Sequence, residues 1–383
     1  MTLVQELTNM YIGIDVHKDS CYIAALNEAG ELLEEKQIKT EDIEDWIQTL
    51  NKNCKIAMET STASKPIYHI MKEKKLDVLM AHPAGLRVIA ESTQKTDRTD
   101  SFHLANLLRL NYLPCSYVPD ESYEQMRNIC RYRVSLGKKK TRIKNEVHAL
   151  LTRNNIRMKK SDIFGVDGLE KLRSLQLNMI DTLLLKSLLE ELNYLTDKAA
   201  FIEDIMAEQG KPNPDVKLLM TIPGIDFYSA MTIIAEIGDI TRFPNTKKLV
   251  SYAGLTPRLR ESGNISLRGK ISKKGSRVLR WILISAAHSV LRCRKGNKKL
   301  RKYHKHLIKR GKAKQVAAVA LAKKLLIIIY TMLTMKRKYD DGDEPLARRK
   351  LAKMNLRATA LPTSSYIGEI DELKRKIKLI GGV

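Results

Sequence analysis

Between Ser262 and Tyr339 the chain has no aspartate and no glutamate, yet those 78 residues carry 23 lysines and arginines. A merely solvated face mixes its signs, so this absence argues against simple solubility and for contact with nucleic acid. Cysteine is also scarce. Cys21, Cys54, Cys115, Cys130 and Cys293 are scattered and odd in number, and no CxxC pair occurs. A zinc site or a disulfide framework is therefore not expected, and a reducing cytoplasm fits. No signal peptide is evident. The longest apolar run near the end, LLIIIYTML after Lys323-Lys324, has about half the residues that a membrane span needs. The expectation is a soluble intracellular protein.

The 383 residues suffice for two or three domains, and 43% of them are hydrophobic, which is ordinary for a globular chain. The net charge is +25, and it is unevenly distributed. Residues 1–100 hold 12 basic and 17 acidic residues, a balance of −5, so the remaining 283 carry +30.

The first hundred residues alternate short apolar runs with helical patterns. MYIGIDV, CYIAALN and LLEEKQIKT read as strands joined by turns, the last two through NEAGE. A helix follows from Thr40, then the strand KIAMET, a helix around Lys65 to Lys74, the strand DVLMAH and a helix after Pro83. Three antiparallel strands followed by alternating helices and strands give an α/β layer with a mixed sheet. From Glu121 to Gln209 apolar residues recur near helical spacing with few breakers, which predicts long helices paired as a hairpin or coiled coil, between subunits or within one. Its start, GKKKTRIKNEVHALL, is a basic amphipathic helix. A mainly helical region begins near Val216 with LLMTIPGIDFYSAMTIIAEIG, which is similar to a helix-hairpin-helix turning at Pro223-Gly224-Ile225, although Asp226 stands where a second glycine is usual. A plain corner between helices explains it equally well. The residues from DDGDEP onward read as peripheral.

Asp15 closes the first strand and Glu59 closes the fourth. A carboxylate at the end of a buried apolar strand is costly unless something pairs with it. Asp97 and Asp100 stand three residues apart at the head of a helical pattern, and so on one face. Each has an ordinary account: a turn, a lysine partner, or a helix cap. Together, in this strand order, the four converge on one sheet edge. Four like charges do not all stay ionised without cations, and hard oxygen ligands suit Mg²⁺ or Mn²⁺. Two-metal phosphoryl-transfer sites use this arrangement. His17, beside Asp15, reads first as a turn residue and second as a support for metal ligands. His304 and His306 read as phosphate or solvent contacts.

GIDVHKDS, AMETS and KTDRTD, in that order, resemble the D, E, D, D motifs of the DEDD insertion-sequence transposases. FPNTKKLVSYAGLTPRLRESGNISLRGKISKKGSRVLRWILISAA resembles the C-terminal transposase domain of the same family. The likeness covers roughly residues 10–110 and 215–295. It implies an RNase H/RuvC-like domain over 1–115, a helical coiled-coil linker over 116–210, a transposase domain over 211–340 and a peripheral tail over 341–383. It also implies a serine nucleophile matching Ser262, with Ser266 the next choice because Glu261, Asn264 and Ile265 depart from the family's double-serine, double-glycine pattern. A composite site formed by both domains, a homo-oligomer (dimer or tetramer) and a structured guide RNA, the bridge RNA, come from the resemblance alone. So does a prokaryotic, nucleoid-associated location. Arg258, Arg260 and Arg268 flank the serine and suit a scissile phosphate. Lys138, Lys139, Lys140 and Arg142 suit DNA or RNA backbone. Lys270, Lys273, Lys274, Arg277 and Arg280 do so too.

The expected activity is DNA transposition through a covalent phosphoserine, with metal at Asp15, Glu59, Asp97 and Asp100. Two alternatives stay open. A RuvC-like resolvase would use the same carboxylates with water as nucleophile, and a catalytically dead homologue would only bind nucleic acid.

Overall fold

The computed structural model describes residues 10–83, 85, 86, 96–158, 163–262 and 265–359, excluding the side chains of 259–268. The chain forms two compact units, Met1–Val118 and Pro119–Val383.

The first unit is built on a five-stranded mixed sheet. β1 (Met10–Val16), β2 (Ser20–Leu26) and β3 (Leu32–Lys39) form an antiparallel meander. β4 (Cys54–Glu59) and β5 (Asp77–Ala81) then run parallel to β1, giving the order β3-β2-β1-β4-β5. The expected sequence of three antiparallel strands followed by alternation is the one observed. The first turn closes with the His17 N–H donating to the Ser20 carbonyl at 2.9 Å. The crossovers contain α1 (Ile43–Gln48) and α2 (Ser64–Glu73). Side chains alternate across the sheet, so Ile12, Ile14, Ile56 and Met58 share one face. They pack there with Trp46, Ile47, Ile67 and Met71 of the two helices. The opposite face, with Ala57 and Ala81, receives Leu104 and Leu108 of α3 (Asp97–Arg109). A mixed sheet with helices on both faces is consistent with an RNase H-like domain. The helix expected after Pro83 lies mostly outside the described residues.

The second unit is mostly helical. α4 (Glu121–Arg153) and α6 (Met179–Gly210) are joined through α5 (Val166–Arg173). The buried residues of α6, Leu185, Leu189, Leu192, Leu195 and Ala199, recur every three or four positions. Leu185 and Leu189 share a cluster with Val147, Leu150 and Leu151, whereas Leu192, Leu195 and Ala199 meet Leu136 and Ile143, so the two helices run antiparallel. Their outer ends are fastened at Asp181, whose carboxylate accepts from Arg153, Asn154 and Asn178.

The remainder packs around α8 (Phe227–Ile237), in which every residue from Ala230 to Ile237 is buried. A helix that is apolar all round belongs inside a core. α7 (Pro214–Leu219) precedes it and α9 (Thr246–Tyr252) follows. A hairpin comes next, β6 (Pro257–Ser262) paired with β7 (Ile265–Ile271). α10 (Arg277–Arg292), α11 (Lys298–Lys309), α12 (Lys314–Met335) and α13 (Glu344–Thr359) complete the unit. Among the described residues α12 alone is long and apolar enough to cross a membrane. Its Leu321, Leu325, Leu326 and Ile329 are fully buried with α8 and α10 residues, which makes it a core helix here. The segment after residue 340 is more engaged than its sequence suggests. Met354 of α13 joins the core, and the Lys350 ammonium donates to the carbonyls of Met220, Ile222 and Ile225.

Candidate functional site

Gly13 brings the acidic groups together. It lies on the face of β1 that α3 crosses, and a Cβ there would sit 2.0 Å from the Ser101 carbonyl oxygen and 2.5 Å from the Ala105 nitrogen. Only glycine lets helix backbone lie this close to the strand. The first turn of α3, with Asp97 and Asp100, therefore reaches the end of β1, where Asp15 sits two residues beyond Gly13.

The cap of α3 is Thr96, whose hydroxyl accepts the Thr99 N–H. That leaves neither aspartate as the N-cap residue. Asp97 points to His17, whose Nε2 lies 3.3 Å from Asp97 Oδ1 and 3.2 Å from Asp15 Oδ2. The Asp15 side chain is 13% exposed. One ligand atom from each of Asp15, His17 and Asp97 falls within 4.8 Å of the others. Burial, and then the charges of Asp100 and Asp97, push the Asp15 carboxyl above its ordinary range, against the pull of His17. Partial burial works against protonation of His17, but the Asp15 and Asp97 carboxylates outweigh it and raise the imidazole. Two carboxylates meeting at one imidazole, with a third close enough to raise Asp15, form a donor set suited to a divalent cation.

The expected quartet is only partly this cluster. Asp100 acts on Asp15 through its charge. Glu59 ends β4 one position past the Ile14–Met58 pair, the level that Asp15 holds on neighbouring β1. It is outside the three-residue group. His17, read from sequence first as a turn residue, is inside it. The spacing Asp-x-His on a strand end was the available signal. Arg98 turns away, and its Nε meets Glu35 on β3 at 2.5 Å.

Ser262 ends β6, its backbone register-paired with Ile265, while Ser266 pairs with Glu261. The side chains of Ser262, Ser266, Arg260 and Arg268 lie outside the described residues. The base of the hairpin is tightly held. The N–H groups of Ser272, Lys273 and Ser276 donate to the carbonyls of Thr256, Gly254 and Tyr252. Gly275, at φ 103°, would place a Cβ 2.0 Å from the Tyr252 oxygen. Behind this base lies a residue that the sequence reading missed. Glu236 is fully buried within the apolar run of α8, accepts Arg131 bidentately at 2.7 and 3.0 Å, and accepts the Ser276 hydroxyl at 2.8 Å. Ser276 also caps α10. A lone acid inside an apolar helix was the signal for it.

The basic residues divide by exposure. Lys138, Lys139, Arg258, Lys270, Lys273, Lys274 and Arg277 are exposed. Arg142 is exposed but paired with Glu146. Lys140 is half-buried, and burial followed by Arg133 and Lys144 lowers its ammonium from the usual range. Arg280 is half-buried and donates to the Ala253 carbonyl, so it braces the hairpin base.

Known proteins match both units. A DEDD transposase family of the IS110 type matches residues 12–156, and the transposase IS116/IS110/IS902 family matches residues 216–305. The transposase of insertion sequence element IS1111A of Coxiella burnetii is 26% identical over 338 residues, 86% of this chain and 91% of that protein. A probable family 20 transposase of Pseudomonas aeruginosa is 25% identical over 86% of this chain and 98% of its own length. The pilin gene-inverting protein of Moraxella bovis is 35% identical across 33% of this chain and 39% of its own.

Proposed function

We propose a reaction for this chain from one premise: it belongs to the IS110 family of DEDD-type transposases, DNA recombinases that act by phosphoryl transfer. The reading is a phosphoserine mechanism. The Ser262 hydroxyl oxygen attacks a DNA phosphorus, an O–P bond to the serine forms, and one P–O bond of the phosphodiester breaks. The displaced sugar oxygen takes up a proton as the serine gives one up. Attack by another strand's hydroxyl on the phosphoserine reverses these changes and rejoins DNA. Bond energy is kept throughout, so no external energy source is needed.

Asp15, Glu59, Asp97 and Asp100 would hold Mg²⁺ or Mn²⁺, with His17 at the edge of the set. When bound, such an ion polarises a phosphoryl oxygen and stabilises the charge that develops on it. The observation that carries this reading is the approach of Asp15 and Asp97 to one imidazole at the end of β1. Lys270, Lys273, Lys274 and Arg277 supply phosphate contacts around the hairpin, and Lys138 and Lys139 supply others on α4. The second partner in this reading is a structured guide RNA. α4 and α6 are read as a coiled coil whose exposed Met179, Ile180, Leu183 and Leu184 meet a second copy. The turn at Pro223-Gly224-Ile225 is read as helix-hairpin-helix-like. Because the Asp226 carboxylate takes the Ser229 N–H at the head of α8, phosphate is assigned to the lysines and arginines instead.

The test incubates purified protein with Mg²⁺, candidate element ends and the element's flanking transcript. Denaturing gels are expected to show a covalent protein–DNA adduct that Ser262→Ala abolishes. Free 5′-phosphate ends without an adduct would instead establish water as the nucleophile.

A further inference from the structure

A cavity of about 400 Å³ lies between α11, α12 and the segment that follows α12. No described residue of the hairpin lines it. Its floor is apolar, with Leu300, Ile328 and Met332, and two tyrosines, Tyr303 and Tyr339, line it. Lys299 and Lys324 stand on its lining as exposed residues. Among the described residues no carboxylate pairs with either ammonium group. The two acids on the lining are already engaged. Asp341 accepts the Lys299 backbone N–H at 2.8 Å, and Asp340 pairs with Arg337 at 3.3 Å. The exposed side of α11 continues the positive surface with Lys298, Lys302, Lys305 and Lys309.

An aromatic-lined apolar recess with free cations at its mouth matches one chemistry well. A flat, unstacked base enters the recess while the flanking phosphates meet the lysines. A duplex offers phosphates but keeps its bases stacked. An acidic amphipathic peptide would also pair with the ammonium groups, but its aliphatic side chains offer no flat face to the two tyrosines, whereas a base does. We propose that this cavity is a subsite for an unpaired nucleobase of single-stranded DNA or RNA, held by Tyr303 and Tyr339 with Lys299 and Lys324 on its phosphates. The inference rests on the nucleic-acid reading above and adds a base-sized site to it.

The test uses the full chain and an oligonucleotide carrying 5-iodouracil, as single-stranded DNA, as single-stranded RNA, and paired with its complement. Irradiation and peptide mapping are expected to give a crosslink at Tyr303 or Tyr339 with single strands only. Comparing the DNA and RNA arms identifies the preferred strand. Tyr303→Ala should remove the Tyr303 crosslink and weaken single-strand binding by roughly five- to a hundredfold, the range for loss of one stacked base. Tyr303→Phe should retain both. Thr331→Trp, at an exposed lining position, should block the recess without disturbing the core. Lys299→Ala with Lys324→Ala should lower the salt slope of single-strand binding by about one to two. Crosslinks confined to other regions overturn the proposal, as does single-strand affinity that Tyr303→Ala and Thr331→Trp both leave unchanged. Equal losses for single strand and duplex also overturn it. An adduct at Ser262 with no crosslink here defeats the subsite alone. A crosslink here with no adduct defeats the serine assignment alone.

Discussion

Gly13, Thr96 and Asp97 show how single residues divide the labour of the acidic cluster. In the sequence, the doublet Asp97–Asp100 reads equally as a helix cap or as metal ligands. The cap is Thr96, so the two roles separate by mutation. Thr96→Ala should cost about 0.5–2 kcal/mol in thermal or denaturant unfolding while leaving divalent-ion binding near wild type. Asp97→Asn should do the reverse, holding stability while weakening Mg²⁺ or Mn²⁺ binding in calorimetry. A Thr96→Ala variant that lost ion binding, with its fold intact, would count against this division. Gly13→Ala should be harsher than its size suggests, because its Cβ meets helix backbone rather than a movable side chain. Overpacking of this kind costs about 1–3 kcal/mol, and it should also push the first turn of α3 off β1. The expected result is a lowered melting temperature together with lost ion binding.

At the scale of elements, two polar ties hold helices in place. Glu236, Arg131 and Ser276 join α8, α4 and the start of α10. Removing one partner of a buried ion pair leaves a charge without compensation. Since Arg131 is half exposed, Glu236→Ala should cost about 3 kcal/mol, at the low end for such pairs, measured by denaturant unfolding. Hydrogen exchange should rise at residues 272–279 first if the network braces the hairpin base. The second tie is Asp181. The Asn154 amide, then Asn178 and Arg153, hold its carboxyl below the usual 3.8, while partial burial opposes them. A depressed carboxyl contributes stability that is present above the unfolded value and lost as pH falls through the folded one. The outer ends of α4 and α6 should therefore loosen below about pH 4, seen as faster exchange at residues 179–186. Asp181→Asn should flatten that acid dependence. Periodicity made the long helices legible in the sequence, but not which residues would fasten them, because Asp181 and Asn154 are 27 residues apart.

For the whole molecule, charge is the dominant property. With a net +25 concentrated after residue 100, binding to nucleic acid should fall steeply with salt. Substituting the exposed Lys273, Lys274 and Arg277 together by alanine should reduce the slope of log affinity against log salt by about three for duplex DNA. An unchanged slope would move the phosphate contacts away from the hairpin. Arg280, identical in charge, should behave differently. Its guanidinium is committed to the Ala253 carbonyl, so Arg280→Ala should register in stability more than in salt slope.

By itself the sequence determined the mixed sheet, the long helices, the basic surface and the ordered D, E, D, D motifs. Each is a local or summed property: alternation, periodicity, charge counts and residue spacing. Tertiary structure alone decided what depends on distant backbones meeting. Strand β1 had to lie against α3 at Gly13 before Asp15 and Asp97 shared the imidazole of His17, whose backbone also closes the turn to Ser20 as its sequence position suggests. Folding also set Glu236 behind Ser276, placed Lys350 on three carbonyls, and enclosed a recess between α11 and α12. No spacing in the chain encodes those contacts, because they arise from close packing between segments far apart in sequence.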